Sequence, residues 1–70
     1  MTGPQQNLLL LARGHQLTTG HPCSVRKAAE LAGVHESTAG VWSRCLERAG
    51  EIARYGDGCL PKFDWCAGLR

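Results

Sequence analysis

The sequence lacks the features that would place it in several large functional classes. No apolar run approaches the roughly 20 residues needed to cross a bilayer. No charged start leads into an apolar stretch and a small-residue cleavage site, as a secretory leader would. Neither a membrane-spanning nor an exported chain is expected, and a cytoplasmic location is. The four cysteines, Cys23, Cys45, Cys59 and Cys66, include no C-x2-C knuckle, and their spacing from the histidines matches no standard zinc module. Reduced, metal-free thiols acting as small buried apolar residues are expected instead. A phosphate-cradling glycine motif, an internal repeat and a low-complexity stretch are also missing. Nucleophilic catalysis by a Cys and a His would need a substrate pocket for which 70 residues leave little room. The expectation is a non-enzymatic protein with no cofactor, no metal and no small-molecule substrate. Positive charge is modest too. A net charge of +2 and a pI near 8.5 permit nucleic-acid binding without supplying a strong basic field.

What is present suits one small folded domain, with 43% hydrophobic residues in 70. Residues 24–50, SVRKAAELAGVHESTAGVWSRCLERAG, form its organising stretch. Ala28, Ala29, Leu31 and Ala32 recur at helical spacing behind Ser24, a suitable N-cap. Gly33 follows, the residue that most easily takes the left-handed conformation ending a helix. Val34 is placed to drop between two helices, and small Ala29 lets them cross closely. Glu36 opens a second helix with its carboxylate at the positive end of the dipole, and Gly50 ends that helix. Helices are therefore expected over residues 25–32 and 36–49.

Upstream, Pro4 suits a first helical position, and the helix from Gln5 through Arg13 should stop at Gly14. It carries four consecutive leucines, of which Leu8 and Leu11 share one face while Leu9 and Leu10 widen it. So apolar a helix either crosses the core, the preferred reading, or meets a second copy in a homodimer. Residues 15–22, HQLTTGHP, read as a connector, and residues 23–25 as a short strand. After Gly50 the period changes. Residues 51–55 alternate, Gly56-Asp57-Gly58 is a turn, and residues 59–65 return, which predicts a β-hairpin. Pro61 cannot donate a ladder hydrogen bond, so the returning strand should be an edge or start late. Ile52, Phe63 and Trp65 are placed to cover the helices.

AAELAGVHEST resembles the helix-turn-helix of bacterial transcriptional regulators, and LERAGEI resembles the end of a recognition helix leading into a wing. The twelve-residue separation of Thr38 and Gly50 fits the same family. The resemblance covers residues 24–55 well and the flanks by pattern. It implies a mainly α fold with a small antiparallel β-hairpin: a winged helix-turn-helix of three helices plus wing, with the helix-turn-helix near residues 24–50 and the wing near 51–66. It also implies sequence-dependent binding of double-stranded DNA by a small transcriptional regulator, recognition helix in the major groove and wing on the backbone, acting as a dimer or cooperatively.

Carried over position by position, the resemblance places His35, Glu36, Ser37, Gly40, Val41 and Arg44 toward the bases and Thr38 on the backbone. Arg54 and Lys62 flank the wing tip, where they can straddle a backbone. Arg26 and Lys27 lie in a first helical turn, where positive charge opposes the dipole. A phosphate contact accounts for them, and so do two solvated surface residues. The chain departs from the family where His35 replaces a serine-type cap and where Ala39 and Ser43 leave space for Trp42. Gly40 costs about 1 kcal/mol of helix propensity, and neither it nor Val41 offers a polar group to a base. The alternatives are a winged helix that docks a protein, as adaptor or inhibitor, and a DNA-binding part of a replication, excision or segregation complex.

Overall fold

The computed structural model describes residues 3–55 and 62–69. In chain order these form α1 (Gly3–Thr19), β1 (Cys23–Ser24), α2 (Val25–Ala32), α3 (Glu36–Arg48), β2 (Ala53–Tyr55), β3 (Lys62–Asp64) and a single 3-10 turn at Ala67–Leu69. The described chain is thus mainly helical, with one small antiparallel sheet of strand order β1-β3-β2.

Helix α1 runs past its expected end. Gly14 lies inside it, and the stop comes at Gly20, whose φ of 77° and 2.7 Å bond from its N–H to the Gln16 carbonyl close the last turn. Thr18 and Thr19 donate their hydroxyls to the carbonyls of Gly14 and His15. Most of the expected connector is therefore helix. The buried face also differs from expectation: Leu8, Leu9, Ala12 and Gln16 point inward, while Leu10 and Leu11 are exposed.

Helix α2 begins and ends as the sequence predicts. Ser24 accepts a hydrogen bond from the Lys27 N–H at 3.2 Å. Gly33 sits at φ 68°, with its N–H on the Glu30 carbonyl and that of Val34 on Ala29. Those paired bonds satisfy two of the carbonyls that a helix end leaves orphaned. The end of α3 repeats the device, since Gly50 at φ 80° donates to Glu47 and Glu51 to Leu46.

In the sheet, Cys23 pairs with Phe63, and Arg54 pairs with Phe63 from the other side. β3 is therefore central rather than an edge, and it starts at Lys62, while Pro61 lies outside the described residues. β2 is the strand that departs from alternation, because Ala53, Arg54 and Tyr55 are all exposed. Only Ile52, just before it, reaches the core.

That core joins Leu8, Leu9 and Ala12 of α1 to Ala28, Ala29, Ala39 and Leu46, with Ile52, Phe63 and Trp65 closing it from the sheet side. Phe63 and Trp65 meet edge to face, centroids 5.6 Å apart. Trp65 has no solvent exposure, yet its indole N–H reaches the Cys23 carbonyl at 3.0 Å, so that donor is not buried without a partner. Trp42 is half-buried against the same core, beside buried Ala39 and Ser43. The Ser43 hydroxyl donates to the Ala39 carbonyl at 2.7 Å, which allows a polar residue to occupy a fully buried position.

Candidate functional site

The start of α3 is fixed by His35. Its Nδ1 accepts the Ser37 N–H at 3.1 Å and lies 2.8 Å from the Ser37 hydroxyl. An imidazole thus acts as the N-cap of α3, taking the place that a serine-type side chain more often fills. Both side chains are exposed, but they are engaged with each other. Glu36 stands in the first turn, at the positive end of the helix.

From there α3 presents two faces. Ala39, Ser43 and Leu46 are buried, while Ser37, Val41, Arg44 and Arg48 are exposed at spacings of three and four residues. Thr38 and Gly40 lie between the two faces, half-buried.

Beside the exposed face a cleft of about 270 Å³ opens between α2, α3 and the sheet. Arg26 from the first turn of α2, Arg44 from α3 and Arg54 from β2 all line it. Gly40 and Phe63 contribute to its walls, as do Ser24 and Val25 at the start of α2. A Cβ added at Gly40 would meet nothing within 4 Å, so the wall there is open space. Arg26 Nε lies 3.7 Å from a Glu36 oxygen, and Arg54 Nε lies 3.6 Å from a Glu47 oxygen. The Arg54 guanidinium also sits 5.9 Å from the centre of the Phe63 ring. Arg44 makes no ion pair among the described residues.

Of the residues predicted from sequence, Arg26, Glu36, Gly40, Arg44 and Arg54 come together at this cleft. Ser37 and Val41 extend the same helix face outside it. Lys27 does not join them: its ammonium pairs with Glu30 at 3.6 Å on α2 itself. Lys62 is exposed in β3, opposite Ser24 on one side and Tyr55 on the other. Glu47 was not singled out from sequence, and Phe63 was expected to cover the helices but not to line a cleft. Glu47 is seven residues from its partner Arg54 and across an element boundary, so no helical spacing rule connects them.

The cysteines divide. Cys23 and Cys66 are buried thiols, but Cys45 is exposed on α3, against the expectation that all would be buried. Cys59 and the Gly56-Asp57-Gly58 turn lie outside the described residues. Burial raises the Cys23 thiol above its ordinary range, opposed by the nearby Trp65 indole and the Lys27 charge, so the group is held protonated and weakly nucleophilic. Among the described residues no three His, Cys, Asp or Glu side chains are grouped to hold a metal ion. No described helix is long and apolar enough to cross a membrane. No family model, curated protein or solved structure matches this chain.

Proposed function

We propose that this chain is a winged helix-turn-helix protein that binds double-stranded DNA, as a small non-enzymatic transcriptional regulator does. The observation that carries the reading is the convergence of Arg26, Arg44 and Arg54, from three elements, beside the exposed face of α3. In this reading α3 enters the major groove with Ser37, Val41 and Arg44 leading, and β2 and β3 bring Arg54 and Lys62 to the backbone. Val41, 59% exposed, is suited to touching a thymine methyl. The resemblance of residues 24–55 to the family supports the same assignment.

Exposed apolar residues on α1 supply a means of pairing. Leu10 and Leu17 are 56% and 70% exposed, two turns apart on one face, with Gly14 between them and open space around it. The exposed positions of that face carry no charge, so two copies meet without like-charge repulsion. The patch is small beside the roughly 1,200 Å² that a stable interface buries. Pairing is therefore expected on DNA, where the second copy binds a nearby half-site.

The test is a gel shift on duplex DNA over a range of salt. Arg54→Ala and Lys62→Ala should each weaken binding to every sequence and reduce the salt slope by about one unit. Ser37→Ala and Val41→Ala should instead lower discrimination between sequences, by about 1–3 kcal/mol at the base pair touched. If all four variants remain folded and none changes DNA binding, the reading fails. A protein-docking role would then lead, a role favoured by the two carboxylates that already offset Arg26 and Arg54.

A further inference from the structure

We propose that the cleft between Arg26, Arg44 and Arg54 takes a single phosphate group, and that Glu36 and Glu47 compete with that phosphate for the guanidinium groups. The inference deepens the DNA reading and rests on it for the identity of the phosphate as part of a nucleic-acid backbone. The binding chemistry itself does not depend on it.

The cleft has the donors an oxyanion needs. Its three arginines are 18 and 10 residues apart in sequence, yet the fold sets them around about 270 Å³ of open space. Ser24 and Val25, also on its wall, mark the N-terminus of α2, whose first turn carries no acidic residue. That helix end therefore adds positive potential instead of cancelling it. Arg26 stands in the same turn, against the dipole, an arrangement that a bound anion relieves. Phe63 backs Arg54 and leaves the polar edge of its guanidinium available. Gly40, lacking a side chain, keeps the wall low.

The carboxylates are weak substitutes for a phosphate. Arg26 and Arg54 meet Glu36 and Glu47 at Nε, at 3.7 and 3.6 Å, longer than a charge-assisted hydrogen bond. The side chains of Arg26, Glu36 and Arg54 are all more than half exposed, so water screens the pairs. A phosphate presents several oxygens at once and can accept bidentate bonds from two guanidinium groups together. Phosphate binding therefore exchanges two long, solvated ion pairs for shorter contacts, and the glutamates lower the affinity of an otherwise open site. Arg44, with no carboxylate to leave among the described residues, makes the first contact.

Inorganic phosphate is the first probe, followed by NMR of the arginine Nε signals. Saturable shifts are expected at Arg26, Arg44 and Arg54, with Arg13, engaged elsewhere, as the silent control. Arg44→Ala should abolish saturation. Glu36→Gln and Glu47→Gln should each tighten binding by roughly two- to five-fold, as loss of an exposed competing pair implies. Glu47→Gln is the safer variant, because Glu36 also supports the start of α3. Non-saturating shifts, or equal shifts at Arg13, would show ionic screening and overturn the site.

A short DNA duplex is the second probe. Competition between duplex and phosphate, with the glutamine variants tightening both, supports the proposal as stated. A duplex that binds without disturbing the three arginines overturns it and leaves the DNA reading standing. Saturable phosphate binding in a protein that ignores duplex DNA keeps the cleft, sinks the DNA reading and assigns the site to a small phosphorylated ligand.

Discussion

The molecule uses arginine in two opposite ways. On the side where α1 meets the C-terminal residues, Arg13 is 12% exposed and held by three hydrogen bonds. Its Nε donates to the Trp65 carbonyl at 2.7 Å, and one terminal nitrogen donates to the Glu51 carbonyl and carboxylate at 3.1 Å. One turn on, Gln16 accepts the Trp65 N–H at 2.7 Å and donates to the Asp64 carboxylate at 2.7 Å. On the side of the cleft, Arg26 and Arg54 are 66% and 60% exposed and hold their carboxylates loosely. The same side chain fastens the chain in one place and is left available in the other. A mostly buried, tightly bonded cation is structural, whereas an exposed, loosely paired one beside a cleft has capacity for a ligand.

The largest effect should come from breaking the tightly bonded side. Arg13→Ala leaves the Trp65 carbonyl without its donor in a part-buried setting and removes one of the two donors to the Glu51 carbonyl, which keeps the Gly68 N–H, and should cost about 3 kcal/mol, as loss of hydrogen bonds to a charged group implies. For a domain of this size that lowers Tm by roughly 10 °C or more. Arg44→Ala should change stability by less than about 0.5 kcal/mol, since the residue is exposed and unpaired among the described residues. Thermal melts of the two variants decide it. Equal losses would erase the distinction between the two sides.

Gly33→Val should come next, at about 1–3 kcal/mol, because a β-branched residue is strained at φ 68° even though the space around a Cβ there is open. The penalty is purely conformational, so Gly33→Asn should recover part of it. A melting curve unmoved by valine would mean that the turn between α2 and α3 is not held in the left-handed conformation.

That turn was legible in the sequence because its determinants are local. Ser24 caps three residues ahead, Gly33 terminates, and Glu36 opens the next helix, all within a window that a spacing rule can scan. The extent of α1 was not legible for the complementary reason. Gly14 is a local breaker, but Arg13 and Gln16 on either side of it bond to residues 38 to 52 positions away, and that tertiary anchoring outweighs a single unfavourable propensity. The same anchoring turns Leu9 inward in place of Leu11. The site was legible in part. Arg26, Arg44 and Arg54 each stood out as exposed cations on plausible surfaces, but their convergence depends on how the sheet is laid against the helices. The pairing of β1 with β3, which seats the start of α2 beside Phe63, has its partners 38 and 40 residues apart in sequence.

The smallest effect expected is also the one that separates fold from function most sharply. Gly40 lies within α3 with nothing within 4 Å of where a Cβ would be, so alanine fits without displacing a neighbour. Gly40→Ala should therefore stabilise the protein by about 0.5–1 kcal/mol, through the backbone entropy that glycine loses in a helix. The new methyl group would stand on the wall of the cleft that Arg26 and Arg44 also line. It narrows the space an anion uses and adds no charge. Affinity for phosphate and for duplex DNA should fall while Tm rises by roughly 2–8 °C. Opposite movement of the two quantities in one variant cannot arise from a loss of folding. A variant that gains stability and binds DNA as well as the parent would show that ligands approach α3 along its Ser37–Val41 face and leave the cleft empty.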